Sequence, residues 1–207
     1  MTTSPEGERQ MVPTDQNSPS ASPSDVLEDS RKRPMKIALL SDTHVPQSLP
    51  ELPGALLDQL QDVDRILHAG DLVSEQVLEA LESFAPVTAV TGNMDPPELR
   101  RKLADRQLLE LAGRTIGLAH GHQPHSLQSR YIGGDYEDEA FDLFFDTMKT
   151  QLPEAEIIAF GHFHKPVITR RDGVLFVNPG SIAPPHRRAT FALLELGSEV
   201  AARIVDL

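Results

Sequence analysis

Lys36-Ile37-Ala38-Leu39-Leu40-Ser41-Asp42-Thr43-His44 joins a short apolar run to a polar tip. Such a run reads as a buried strand with chemically capable residues at its C-terminal end. The same pattern recurs down the chain. Arg65-Ile66-Leu67-His68 ends at Gly70-Asp71, and Val87-Thr88-Ala89-Val90 at Gly92-Asn93. Thr115 to Ala119 ends at His120, and Glu156 to Phe160 at Gly161-His162. Between these runs lie helical patterns. Leu52, Leu56, Leu57 and Leu60 share one face of Glu51 to Leu60, and Val77, Leu78 and Leu81 share one face of Ser74 to Phe84, with Ser74 as N-cap. Phe141, Phe144, Phe145 and Met148 fall at helical spacing within Tyr136 to Leu152 and read as core.

After Lys165 the pattern is all β: Val167-Ile168-Thr169, Val174 to Val177, Thr190 to Leu194 and Val200 to Ile204, separated by turn residues such as Asp172-Gly173. A βαβ start with a β-meander finish predicts two packed sheets with flanking helices. Residues 1–34 differ from the rest. They hold six serines, three threonines and five prolines, and Val26-Leu27 is their only adjacent aliphatic pair. A segment of this kind buries too little apolar area to offset chain entropy, so it is expected to be a disordered polar tail before a domain spanning 35–207.

The 207 residues suit one domain, with 39% hydrophobic residues to build a core. Acidic residues number 31 and basic residues 19, a net charge of −12. That balance argues against a dedicated binder of long nucleic acids or anionic membranes. No cysteine is present, which excludes disulfides, thiolate nucleophiles and iron–sulfur clusters. No run approaches the roughly 20 apolar residues of a membrane span, and the polar N-terminus does not read as a secretory signal. The expectation is a soluble cytoplasmic protein.

The tips carry Asp42 and His44, His68 and Asp71, Asn93 and Asp95, His120 and His122, and His162 and His164. Ligands of open α/β sheets bind outside the carboxyl ends of the strands, so these tips point at one crevice. Imidazole nitrogens with carboxylate oxygens suit manganese, iron, zinc, nickel or cobalt. In extended backbone, Asp42 and His44 would project to one side, as would His162 and His164. One aspartate can bridge two ions, and ions about 3.5–4 Å apart can clamp a phosphoryl group. Each fragment alone is an ordinary turn or cap; their conjunction points to a metal site.

Asp42-Thr43-His44, His68-Ala69-Gly70-Asp71, Gly92-Asn93-Met94-Asp95, His120-Gly121-His122, Gly161-His162-Phe163-His164 and Asn178-Pro179-Gly180-Ser181 stand in the order of the calcineurin-like metallophosphoesterase superfamily. From Met35 onward the chain resembles its small single-domain phosphodiesterase branch, to which the eukaryotic retromer scaffold subunit is related. The resemblance implies an α/β fold, a four-layer α/β/β/α sandwich of two mixed β-sheets flanked by helices. It implies two divalent ions, manganese first, with iron, zinc, nickel or cobalt as substitutes. Carried over by position, Asp42, His44, Asp71 and His164 hold one ion, and Asp71, Asn93, His120 and His162 the other. A bridging hydroxide would attack the phosphorus of a small phosphodiester or nucleotide, with Asp71, Asn93 and His122 as catalytic residues. The alternatives are a phosphomonoesterase and a non-catalytic protein-binding scaffold of the same fold.

Many superfamily members carry a histidine where Met94 stands, and a thioether donates no proton. His122 or a water would then serve the leaving group, unless that group departs unaided. Asn93, His122, Ser181 and Arg187 are candidate substrate contacts, with Asn178 to Ser181 beneath the site or near the substrate. Asp95 either orients a ligand or caps a turn, and His68 packs behind the ligands. His125 and His186 are expected at the surface or rim. The segment Gln123 to Glu139 is expected to wall the pocket. The expected partner is a small phosphate ester, with a homo-oligomer suggested by the resemblance alone.

Overall fold

The computed structural model describes residues 33–131, 134–183 and 188–207. Most of the expected polar tail lies outside them. The first sheet contains β1 (Met35–Leu40), β2 (Arg65–His68), β3 (Val87–Ala89), β9 (Thr190–Leu196) and β10 (Val200–Asp206). Its order is β10-β9-β1-β2-β3, with β1, β2 and β3 parallel and β9 antiparallel to β1. The second sheet contains β4 (Arg106–Leu111), β5 (Arg114–Ala119), β6 (Ile157–Ala159), β7 (Val167–Arg171) and β8 (Val174–Asn178). Its order is β4-β5-β6-β8-β7, with β5, β6 and β8 parallel.

Register brings the tips level. Leu40 pairs with His68 and His68 with Ala89 in the first sheet, while Leu118 pairs with Ala159 and Ala159 with Val177 in the second. The last residues of the parallel strands therefore end on one line in each sheet.

Three apolar layers hold four structural layers together. Strand alternation splits β1: Ile37 and Leu39 face the inter-sheet core with Leu67, Ile116 and Val177, while Ala38 and Leu40 face an outer core with Leu56, Leu60 and Leu81. That outer core is covered by α1 (Gly54–Gln59) and α2 (Glu75–Glu82), which bury Leu56, Val77 and Leu81. Ser74 caps α2 as expected, accepting a hydrogen bond from the Gln76 N–H at 3.1 Å. On the far side, α5 (Glu139–Gln151) buries Phe141, Phe144, Phe145 and Met148 against Ile158, Phe160 and Phe176. This is the expected α/β/β/α sandwich. Two short helices, α3 (Pro97–Lys102) and α4 (His125–Gln128), follow the third and fifth strands.

The chain's end is not one meander. β7 and β8 form a hairpin in the second sheet, and β9 and β10 form one in the first. Gly180-Ser181 lies between, where the chain changes sheet: a Cβ on Gly180 would meet Thr190 Oγ1 at 2.0 Å. Among the described residues, no helix is long and apolar enough to cross a membrane.

Candidate metal centre

β1 ends at Leu40, and the next residues leave extended geometry. Asp42 and His44 have φ of +53° and +47°, so the shared face of an extended strand is not what aligns them. Asp71, His162 and His164 are also left-handed, at +58°, +70° and +51°. Aspartate and histidine tolerate this region better than most residues, yet each instance costs on the order of 1–3 kcal/mol. Tertiary bonds enforce it. The Asp42 N–H donates to Gly70 O at 3.0 Å and the His44 N–H to Asp71 O at 3.1 Å. The strand tips are thus hydrogen-bonded to each other, and each turns its side chain into one crevice.

The side chains meet there in a chain of contacts. Asp42 Oδ1 lies 3.1 Å from His164 Nε2 and 3.8 Å from His44 Nε2. His44 Nε2 lies 3.4 Å from His164 Nε2 and 3.9 Å from Asp71 Oδ2. Asp71 Oδ2 lies 3.3 Å from His120 Nε2, which lies 3.1 Å from Asn93 Oδ1. His162 joins through its backbone N–H, which donates to Asp42 Oδ2 at 3.0 Å, and its ring centroid is 5.2 Å from that of His120. Among the described residues, two overlapping groups have donor atoms all within 4.8 Å of one another: Asp42, His44 and His164, and Asp42, Asp71 and His120.

This donor set fits divalent cations. Asp42 and Asp71 are 0% and 2% exposed, and among the described residues their ion pairs are all with histidines. Burying two carboxylates without a lysine or arginine is costly unless a cation joins them. His120 Nδ1 lies 2.7 Å from Ala69 O. A carbonyl only accepts, so Nδ1 carries the proton and the Nε2 lone pair of the neutral ring faces Asp71 and Asn93. Three acceptors turned on one another are stable only around a proton or a metal ion.

The electrostatics agree. Burial disfavours a charged His120, but the Asp71 hydrogen bond and the nearby Asp42 outweigh it and lift the ring to about 9. Burial likewise opposes the Asp42 carboxylate, but the His164 hydrogen bond and the His120 charge hold it at about 2. Burial pushes His44 down, and burial with the His120 charge takes His162 to about 4. Without a metal, one proton sits where two carboxylates compete for positive charge, and the His44 and His162 rings are held toward their neutral, ligating form.

A supporting shell fixes these groups. The buried Asp95 carboxylate accepts from the N–H groups of Asp71 (3.1 Å), Val73 (2.7 Å) and Gly92 (2.8 Å), so it orients the Asp71 loop. Arg100 of α3 donates to Asp95 O at 2.8 Å and also to Asn93 O, a residue that pattern reading missed because nothing in its sequence context marks it. Gly92 and Gly161 let the chain pass against the carboxylates: a Cβ at Gly92 would meet Asp71 Oδ1 at 2.0 Å, and one at Gly161 would meet Ser41 Oγ at 1.8 Å. That Ser41 hydroxyl donates to Asp42 Oδ2 at 2.6 Å. Asn178 donates to Gly161 O at 2.8 Å. Ser181 donates to Asp42 O at 2.9 Å and accepts from Ala183 N–H at 3.0 Å. Its hydroxyl is thus occupied beneath the site instead of facing substrate. His68 is fully buried behind Thr43, with Nε2 3.3 Å from Thr43 Oγ1.

Two cavities flank the centre, and Asn93 and His162 line both. One, about 410 Å³, is walled by Tyr131, Tyr136, Phe141 and Phe163, with Gln123, Gln128 and Lys165. The expected wall from Gln123 to Glu139 thus supplies part of this lining. The other, about 690 Å³, runs past His44, Met94, His164 and Ile182. Met94 is 49% exposed, and its N–H donates to Asp71 Oδ1 at 2.7 Å. His122 is exposed, with its ring 5.5 Å from His120 and 6.3 Å from His162. Exposed His125 opens α4. Arg187 and His186 lie outside the described residues.

Residues 35–199 match a family model described as the calcineurin-like phosphoesterase superfamily domain. A probable metallophosphoesterase of Methanothermobacter thermautotrophicus is 34% identical over 154 residues, spanning 73% of this chain and 79% of that protein. Zinc-complexed Vps29 from Entamoeba histolytica has a TM-score of 0.63 at 24% identity, over 83% of this chain and 99% of that one. An archaeal phosphodiesterase has a TM-score of 0.61 at 24% identity, over 84% and 100%.

Proposed function

This chain belongs to the calcineurin-like phosphoesterase superfamily, and from that premise we propose a dinuclear-metal-dependent phosphodiesterase acting on small diesters or nucleotides. The observation that carries the reading is the buried ring of acceptors. Asp42, His44, Asp71 and His164 would hold one ion, and Asp71, Asn93, His120 and His162 the other. Bound divalent ions, manganese first among them, supply charge for the phosphoryl oxygens and make a water nucleophilic near neutral pH.

The chain's own residues do the rest. Asp42 is common to the two donor groups, and Asp71 would reach both ions through one oxygen: Oδ2 faces His44 and His120, while Oδ1 takes the Met94 N–H. Asn93 lines both cavities and so stands where a phosphate between them would bind. His122, exposed with its ring 5.5 Å from that of His120 and 6.3 Å from that of His162, would give a proton to a departing oxygen, the role Met94 cannot fill. Two cavities meeting at the centre suit an ester with two organic arms, which favours diesters over monoesters.

Hydrolysis of bis-p-nitrophenyl phosphate with added manganese tests the reading. Wild-type protein is expected to turn it over, and Asp71→Asn to lose roughly 100-fold or more. Equal rates for both proteins, or none for either, would leave the scaffold role of this fold as the better account.

A further inference from the structure

We propose that the aromatic cavity beside the metal centre is a binding site for an uncharged aromatic ring with hydrogen-bonding edges, a nucleobase, carried as one arm of the substrate. The inference rests on the phosphodiesterase reading above. Four rings build the wall. Phe163 lies 5.9 Å from Tyr131, 6.0 Å from Tyr136 and 5.2 Å from Phe141, centroid to centroid. Phe163 sits between the donors His162 and His164, and its ring is 5.1 Å from that of His162. The wall is therefore continuous with the centre.

The wall is also fixed before any ligand arrives. Tyr131, Tyr136 and Phe141 are buried, and the Tyr136 hydroxyl donates to Lys165 O at 2.9 Å while accepting from Asn178 at 3.1 Å. The half-buried Phe163 presents ring surface to the cavity with these buried rings packed against it, and rigid aromatic surface binds planar rings at low entropic cost.

Charge selects the ligand further. Among the described lining residues Lys165 is the cation, and Asp135 holds its ammonium at 2.9 Å, with the Tyr136 ring 5.5 Å away. That pair is close to neutral, so the cavity offers little to a second phosphate. Gln123 and Gln128 supply the amide donors and acceptors that match the edge of a base. A volume of about 410 Å³ accommodates a small organic ligand. Because the opposite cavity also opens on Asn93 and His162, one arm can lie in each with the phosphorus between.

The chain has two tyrosines and no tryptophan, and both tyrosines line this cavity. Full-length protein with carbon-13 in its tyrosine rings therefore gives two reporters, both at the site. In excess chelator, adenosine is expected to shift both signals saturably, while ribose shifts neither. With manganese, adenosine is expected to inhibit bis-p-nitrophenyl phosphate hydrolysis competitively. Gln128→Ala and Tyr131→Leu should each weaken that inhibition, the tyrosine change by about tenfold. Unmoved tyrosine signals, or equal shifts from ribose, overturn the proposal even if the diester is hydrolysed. Saturable adenosine shifts in a protein that hydrolyses nothing with any metal support the ring site and overturn the phosphoesterase reading instead. The wild-type titration decides between these outcomes even if Tyr131→Leu fails to fold.

Discussion

Three backbone N–H groups end on the single carboxylate of Asp95, one of them from Val73, whose φ of +77° is rare for a β-branched residue. Asp95→Ala would orphan all three in a buried loop and release Asp71. The expected cost is roughly 3 kcal/mol or more, read as a lower urea midpoint, together with weakened metal affinity. At Gly92 the limit is space: Gly92→Ala puts a methyl into Asp71 Oδ1 and should abolish metal binding measured by calorimetry. His120 sets a pH dependence in the chelated protein. Folding raises its pKa from 6.5 to about 9, so its contribution is complete below pH 6.5 and is lost as pH rises through about 9. Burial drives His68 the other way, to about 3, so its contribution is complete above pH 6.5 and is lost as pH falls toward 3. Urea midpoints of chelated protein should therefore be highest near neutrality. Saturating manganese should remove the alkaline decline, because a ligating His120 carries no Nε2 proton to lose.

At the scale of elements, sequence pattern was most legible where burial is two-sided. β1, β2, β5 and β6 carry consecutive apolar residues (37–40, 66–67, 116–119 and 157–159) because both faces meet a core, and each run stops where its polar tip begins. Ser74 was legible for a local reason, since capping needs only a short polar side chain before a helix. Ser74→Ala should cost about 1 kcal/mol in thermal unfolding and leave hydrolysis unchanged. β4 escaped notice because it is an edge strand whose residues alternate between exposed and half-buried, with Arg106 and Glu110 among them. The assignment of the last four strands to different sheets was not legible either, because hairpins look alike whichever sheet they join. The donors were readable as residue types at strand tips, but the left-handed backbone that aims them was not: contacts from the neighbouring tip impose it. The aromatic cavity was hidden for a similar reason, since its rings come from Tyr131 to Phe163 across a loop, a helix and a turn.

Over the whole molecule, the donor set is divided between the layers. Asp42, His44, Asp71 and Asn93 follow β1, β2 and β3 of one sheet, while His120, His162 and His164 follow β5 and β6 of the other. The contacts Asp42–His164 and Asn93–His120 both cross from sheet to sheet. A ligand that binds only the native state stabilises it by mass action, so manganese should raise the melting temperature of the wild type and not that of Asp71→Asn. Under the proposed metal binding, the same division would make a bound ion a rivet through the seam between two half-sandwiches. Stripped of it, the seam would open more often and expose peptide bonds to proteases. The working lifetime of this protein, and not its turnover rate alone, would then follow how much trace metal its surroundings provide.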